Sequence, residues 1–294
     1  MTTQAADATF LLGGDMPVRR IGYGALRLTD DQHWRGPRSL GQAKELLRRA
    51  VEWGVNLIDT ADSYGLGANE ELIAAALHPY PEHLVVATKV GQCRPSPDVW
   101  VPLGRPEYLR QQVELSLRRL RVERLDLLQL HRLDPSLPLA DQVGALRELQ
   151  TEGKIRHIGL SKVSADQLDE AMTIADITSV QNPYNVVDRA FEQSLRRCEQ
   201  LGVAFLAWLP LKQGHLVAAG TELSATAERL GTRPAQVALA WLLQHSPAVL
   251  PIPATTSVDH LSDNIAAADL ALDPATVETL TRLGERSVPG WEPR

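Results

Sequence analysis

Cysteine is nearly absent from this chain of 294 residues: Cys93 and Cys198 are the whole supply, and neither stands in a Cys-x-x-Cys or Cys/His cluster. A disulfide framework and a zinc site both need more ligands at closer spacing, so neither is signalled. The chain reads as cytoplasmic. An excess of positive charge is lacking too. The 30 Lys and Arg stand against 36 Asp and Glu, a formal net charge of −6, the wrong sign for a protein that neutralises nucleic-acid phosphates. No apolar run approaches the roughly 18 residues of a membrane span, and the opening MTTQAADATF has neither the basic nor the apolar region of a signal peptide. Neither a nucleic acid nor a membrane is expected as a partner. What is present, 44% hydrophobic and 22% charged residues, is the composition of a globular protein with a sizeable core. A prior of about 150 residues per domain would suggest two units, but α/β barrels reach about 250 residues as one. With no linker in sight, 1–294 is read as one barrel unit.

Eight short apolar runs recur: 21–26, 55–59, 84–89, 125–130, 155–161, 179–183, 204–209 and 249–253. Each reads as a buried strand. Between them the apolar residues follow a helical period, as in Ala43, Leu46, Leu47, Ala50 and Val51 before Gly54, or Leu168, Ala171, Met172 and Ala175 behind Ser164. Ser164 with Gln167 resembles a capping box, Pro106 and Pro234 suit first helical turns, and Gly153 and Gly202 suit helix ends. Eight β-α units in series imply an α/β fold with parallel strands, either a closed (β/α)8 (TIM) barrel or a doubly wound sheet. The first strand continues as GYGALRL without a dinucleotide-type GxGxxG turn, which favours the barrel. Ahead of it, ATFLLGGDMPVRRIG reads as an N-terminal β-hairpin that plugs the barrel. Three long loops, 27–39, 90–105 and 210–222, follow strands and share the C-terminal face, where barrels carry their chemistry.

Four polar residues stand at or just beyond three adjacent strand ends: Asp59 and Tyr64 in DTADSYG, Lys89 in VVATKVG and His131 in LDLLQLHRLD. Taken singly, a strand-end Asp caps a turn and a lone Tyr, Lys or His packs or is solvated. Jointly, at one rim, they have a chemical logic. A phenol is a poor acid at neutral pH, but a neighbouring ammonium favours tyrosinate and lowers its pKa, while a carboxylate holds that ammonium. An imidazole beside it donates to an oxygen that gains negative charge. These are the functions that carbonyl reduction needs.

The chain resembles the aldo-keto reductase family from RRIGYGAL to HLSDN, most closely a bacterial branch that contains pyridoxal reductases. GVNLIDTADSYG is similar to the family's Gly-x-Asn-x-x-Asp-Thr-Ala-x-x-Tyr-Gly signature, and VVATKVG and LDLLQLHRLD to its lysine and histidine strands. The resemblance implies an oxidoreductase that reduces an aldehyde or ketone with NADPH, NADH being possible. Hydride comes from nicotinamide C4 and the proton from Tyr64, with Asp59, Lys89 and His131 completing the site and no metal. It implies nicotinamide contacts from Ser161, Gln181 and the stacking ring of Trp208. Lys162 stands where the family has Asn. Leu209, Leu211, Lys212, Gly214 and Leu216 match the loop over the pyrophosphate. Thr255, Thr256, Ser257 and His260 match the adenosine-phosphate segment, with Asp263 and Asn264 against the adenine. His260 replaces an Arg, so Lys212 is expected to supply part of the missing charge.

Trp34 and Trp100 sit in two rim loops and line a substrate pocket or anchor their loops. Arg118, Arg119, Arg121 and Arg124 read as a solvated helix end, and Cys93 as an idle thiol. Pyridoxal is one candidate substrate, with selection placed in the rim loops and the C-terminal tail. The partner is a small carbonyl compound, and the protein is a monomer or a weak oligomer. The rival readings are a cofactor-holding regulator similar to a channel β-subunit, or a barrel hydrolase or isomerase. The latter lacks the metal ligands or paired carboxylates it would need.

Overall fold

The computed structural model describes residues 9–218 and 220–285. The C-terminal tail, one expected seat of substrate choice, lies outside the described residues from 286 onward. Two antiparallel strands, β1 (Thr9–Leu12) and β2 (Met16–Arg19), form the expected hairpin about Gly13 and Gly14, both at positive φ. Then come β3 (Tyr23–Gly24), α1 (Leu40–Glu52), β4 (Leu57–Asp59), α2 (Ala68–Leu77) and β5 (Val85–Val90). A second hairpin, β6 (Gln92–Ser96) and β7 (Val99–Pro102), precedes α3 (Pro106–Leu120). The series continues with β8 (Leu125–Leu130), α4 (Leu139–Thr151), β9 (Ile155–Ser161), α5 (Ala165–Met172), β10 (Ile177–Pro183), α6 (Glu192–Leu201) and β11 (Ala204–Trp208). It ends with α7 (Glu222–Leu230), α8 (Pro234–His245), β12 (Val249–Pro251), α9 (Val258–Ala266) and α10 (Pro274–Glu285).

Eight strands pair in parallel in the order β12-β11-β10-β9-β8-β5-β4-β3. The sheet closes: Gly22 N–H donates to Pro251 O (3.0 Å) and Gly24 N–H to Pro253 O (3.2 Å), joining the two ends. Gly24 is required there, because a Cβ would stand 2.7 Å from Ile252 O. The helices bury one face each, as Ala43, Leu46, Leu47 and Ala50 do on α1. The Ser164–Gln167 capping box forms, Pro106 and Pro234 open α3 and α8, and Gly202 ends α6 in the left-handed region. Among the described residues, no helix is long and apolar enough to cross a membrane.

Inside the barrel, side chains two apart along a strand share a face and form layers. The lower layers are apolar: Leu57, Val85, Ala87, Leu127, Leu206 and Leu250 pack with Leu12, Met16 and Val18 of the β1–β2 hairpin. One step up the same strands stand Asp59, Lys89, Gln129 and Trp208, so the residues of the rim rest on a dry plug.

Two expectations change. Segment 90–105 is not an irregular loop, since β6 and β7 occupy it; Pro95, Pro97 and Pro102 hide the alternation that would signal strands. Arg119 is not solvated either. Its Nε donates to Glu70 Oε2 at 2.6 Å, and the Glu70 side chain is fully buried while also accepting from Thr88. The run of arginines hid one whose partner lies 49 positions away.

Candidate active site

Lys89 reaches from β5 into the barrel mouth, completely buried, and donates from Nζ to three oxygens. They are Asp59 Oδ2 at 2.6 Å, the Thr60 carbonyl at 2.8 Å and Tyr64 Oη at 3.4 Å. The other oxygen of Asp59 accepts from Gln181 Nε2 (2.7 Å) and Gln129 Nε2 (3.2 Å). Tyr64 is carried by a short turn after β4, in which Gly65 has φ 59° and passes so close to Arg35 that a Cβ would meet its carbonyl oxygen at 2.8 Å. That turn aims the phenol back at Lys89. His131, just past β8, packs edge-on against the Tyr64 ring with centroids 5.8 Å apart, and its Nδ1 lies 3.3 Å from Ser63 Oγ. The structure therefore brings Asp59, Tyr64, Lys89 and His131 together.

The electrostatics correct one expectation. Burial pulls the Lys89 ammonium down, but Asp59 and then Tyr64 outweigh it and leave the group above the ordinary lysine range. Burial pushes the Tyr64 phenol above its ordinary value, and Lys89 offsets only part of that. The phenol is thus not acidified in the protein alone; it is held fully protonated at neutral pH. Burial, reinforced by the charges of Arg132 and Lys89, holds the His131 imidazole well below its ordinary range, so it is neutral.

The residues expected at the nicotinamide converge on the same rim. Gln181 is tied to Asp59 and to Gln129 Oε1 (3.2 Å). Ser161, at the end of β9, accepts from Arg132 Nη1 at 3.2 Å. Lys162 takes a left-handed backbone (φ 56°) and donates its N–H to Gln181 O. Trp208, at the end of β11, has its indole Nε1 buried without a hydrogen-bond partner. An orphaned donor on an aromatic ring at the barrel mouth fits a flat, polar-edged ligand stacked there.

Along the next strand ends the picture is looser. Leu209 is at positive φ and its carbonyl accepts from Asn185; Leu211, Lys212, Gly214 and Leu216 lie in or beside a short 3-10 turn, Lys212–Val217, with Lys212 half-buried and Leu216 buried. Ser257 caps α9, its Oγ accepting from His260 N–H, and Thr255 Oγ1 accepts from Ser257 N–H. These two hydroxyls therefore bond within their own segment, while Thr256 and the His260 side chain face solvent. Asn264 is buried, and Asp263 lies 3.6 Å from Arg233 Nε, a cation that its position at the start of α8 had concealed.

Trp34 and Trp100 belong to one assembly. The Arg94 guanidinium lies 3.6 Å from the Trp100 ring centroid and 5.4 Å from that of Trp34, and it donates to the carbonyls of His33, Gln32 and Pro97. The two indoles, with Arg94 against both, clamp the 27–39 loop to the β6–β7 hairpin. Cys93 is half-buried on β6. The sequence reading had not named Gln129, Ser63 or Arg132; Gln129 was findable, because it stands two residues before His131 on the same inward face. Among the described residues, no three His, Cys, Asp or Glu are grouped to hold a metal ion.

Residues 20–285 match the aldo/keto reductase family. An uncharacterized oxidoreductase of Schizosaccharomyces pombe is 44% identical over 281 residues, covering 96% of this chain and 92% of its own. Pyridoxine 4-dehydrogenase of Escherichia coli is 40% identical over 278 residues, covering 92% and 96%. Among solved structures, the glycerol dehydrogenase of Gluconobacter oxydans aligns with a TM-score of 0.87 at 27% identity over 97% of this chain and 98% of its own. An aldo-keto reductase from Klebsiella pneumoniae in complex with NADPH aligns with a TM-score of 0.81 at 27% identity over 99% and 98%.

Proposed function

Because the chain belongs to the aldo/keto reductase family, we propose that it reduces an aldehyde or ketone to the alcohol with NADPH, Tyr64 giving the proton. The observation that carries this reading is the buried Asp59–Lys89–Tyr64 series, 2.6 and 3.4 Å between successive polar atoms. NADPH, when bound, supplies the hydride. Trp208, Ser161 and Gln181 would hold the nicotinamide; the loop at 209–216, including Leu209, Leu211, Lys212, Gly214 and Leu216, would cover the pyrophosphate. Thr256, His260 and the N-terminus of α9 would meet the adenosine phosphate, with Asp263 and Asn264 near the adenine.

The residues divide the work by protonation state. Tyr64 starts protonated, and the adjacent Lys89 charge stabilises the tyrosinate left when the proton passes to the developing alkoxide. Asp59 keeps that ammonium charged in a dry site. Neutral His131 donates to the substrate oxygen only if its proton is on Nε2. A Ser63 hydroxyl donating to Nδ1 holds it there.

Pyridoxal is a candidate substrate, supported by the 40% identity to pyridoxine 4-dehydrogenase. The test is NADPH oxidation by purified protein with a panel of aldehydes and ketones that includes pyridoxal. Turnover of a generic aldehyde is expected. NADPH binding with no turnover on any member would favour a cofactor-holding regulator instead.

A further inference from the structure

Arg132 is a cation in the barrel mouth that makes no ion pair among the described residues. It follows His131 directly, and its Nη1 donates to two neutral acceptors, the His131 carbonyl at 2.7 Å and Ser161 Oγ at 3.2 Å. Its guanidinium lies 5.9 Å from the Trp208 ring centroid. The Asp59 and Asp134 carboxylates are engaged elsewhere. Asp59 serves Lys89, Gln129 and Gln181, while Asp134, two residues on, accepts from Gly104 N–H and from Ser136. With Asp59 balancing Lys89, and His131 and Tyr64 neutral, Arg132 adds a positive charge that no acidic side chain among the described residues pairs with.

A half-buried guanidinium without a counter-charge is costly unless a ligand supplies one. Its planar fork suits a carboxylate or another anionic oxygen, and the low-dielectric Trp208 face strengthens that bond. We propose that Arg132 binds an anionic group of the substrate. The carbonyl compounds reduced here then carry an anionic oxygen, a carboxylate or a ring phenolate, a few bonds from the carbonyl carbon. The short reach follows from the chain itself, since Arg132 is the neighbour of the residue set to receive the carbonyl oxygen. The assignment rests on the reductase reading above. Ser161 and Trp208 are also expected against the nicotinamide, so the cofactor is the competing occupant. However, its ring becomes cationic on losing hydride, and a guanidinium opposes that charge.

Two pairs of substrates test this with NADPH: 4-carboxybenzaldehyde against benzaldehyde for the carboxylate, and pyridoxal against pyridine-4-carbaldehyde for the phenolate. The readout is the ratio of kcat/KM within each pair for the native protein, Arg132→Gln and Arg132→Lys, whatever happens to the absolute rates. The native protein should favour the anionic member of at least one pair by roughly 10- to 100-fold, the worth of one charge-assisted hydrogen bond. Arg132→Gln should bring that ratio close to one, and Arg132→Lys should restore part of it. No preference in either pair, or a preference that Arg132→Gln leaves intact, overturns the proposal. So does weaker NADPH binding in Arg132→Gln with the ratio unchanged, which would assign the arginine to the cofactor. If no aldehyde is reduced at all, the reductase reading fails, and benzoate binding followed by tryptophan fluorescence decides the arginine separately. Quenching that Arg132→Gln abolishes supports an anion site; quenching that persists, or none in the native protein, overturns it.

Discussion

On the side of the barrel mouth built by β4, β5 and β8, the charged pair at its centre finds its partners within the protein: Asp59 takes bonds from Lys89, Gln129 and Gln181, and Lys89 donates to three oxygens. On the side built by β11, β12 and the start of α9, Trp208 Nε1 has no partner, and Ser257 and Thr255 bond within their own segment. The first side is assembled before any ligand arrives. The second holds its shape by local caps and keeps its contacts for what binds. Removing a group from the first side should therefore cost folding and chemistry together, whereas the second side should yield smaller, local effects.

The sharpest way to break this contrast is Asp59→Asn. Lys89, whose side chain is 1% exposed, would keep its charge in the interior with no counter-charge. Losing one partner of a buried pair costs about 3–5 kcal/mol, which urea unfolding would register, and turnover should collapse with it. A variant as stable as the native protein would mean that the pair is not the keystone of this side.

A smaller effect follows from His131. Its pKa is depressed in the folded protein, while the unfolded chain titrates near 6.5. Between those two values the unfolded state binds the extra proton. Stability is therefore full above the unfolded value and falls as the pH drops through it, at up to about 1.4 kcal/mol per pH unit. Urea midpoints near neutrality and in mild acid, compared between the native protein and His131→Asn, isolate this contribution. An identical acid response in both would place the titration elsewhere.

Smallest is Ser257→Ala. Its hydroxyl caps α9, so the loss should be about 1 kcal/mol of stability, and a loss as large as that of Asp59→Asn would erase the distinction between the two sides.

How far the sequence reaches follows the same division. The strand runs and their order were legible because each buried strand is a short apolar block, and Asp59, Lys89 and His131 stood at the ends of three of them. Arg119 was misread because its partner Glu70 is distant in sequence and a run of arginines resembles a solvated helix end. The hairpin at 92–102 was missed because its prolines mask strand alternation. The direction of the Tyr64 shift was reversed for a different reason: proximity to Lys89 is readable from strand ends, but the burial that outweighs it is not. Arg132 and Ser63 gave no signal, since their meaning depends on side chains converging from separate strands.

Everything on the first side serves delivery of the proton by Tyr64. Single-turnover oxidation of bound NADPH by an aldehyde, in the native protein and in Tyr64→Phe, tests it most directly, because the phenylalanine keeps the ring against His131 and removes only the hydroxyl. The rate should fall by roughly 10² or more while NADPH binds as before. A Tyr64→Phe protein that oxidises NADPH at close to the native rate would contradict it.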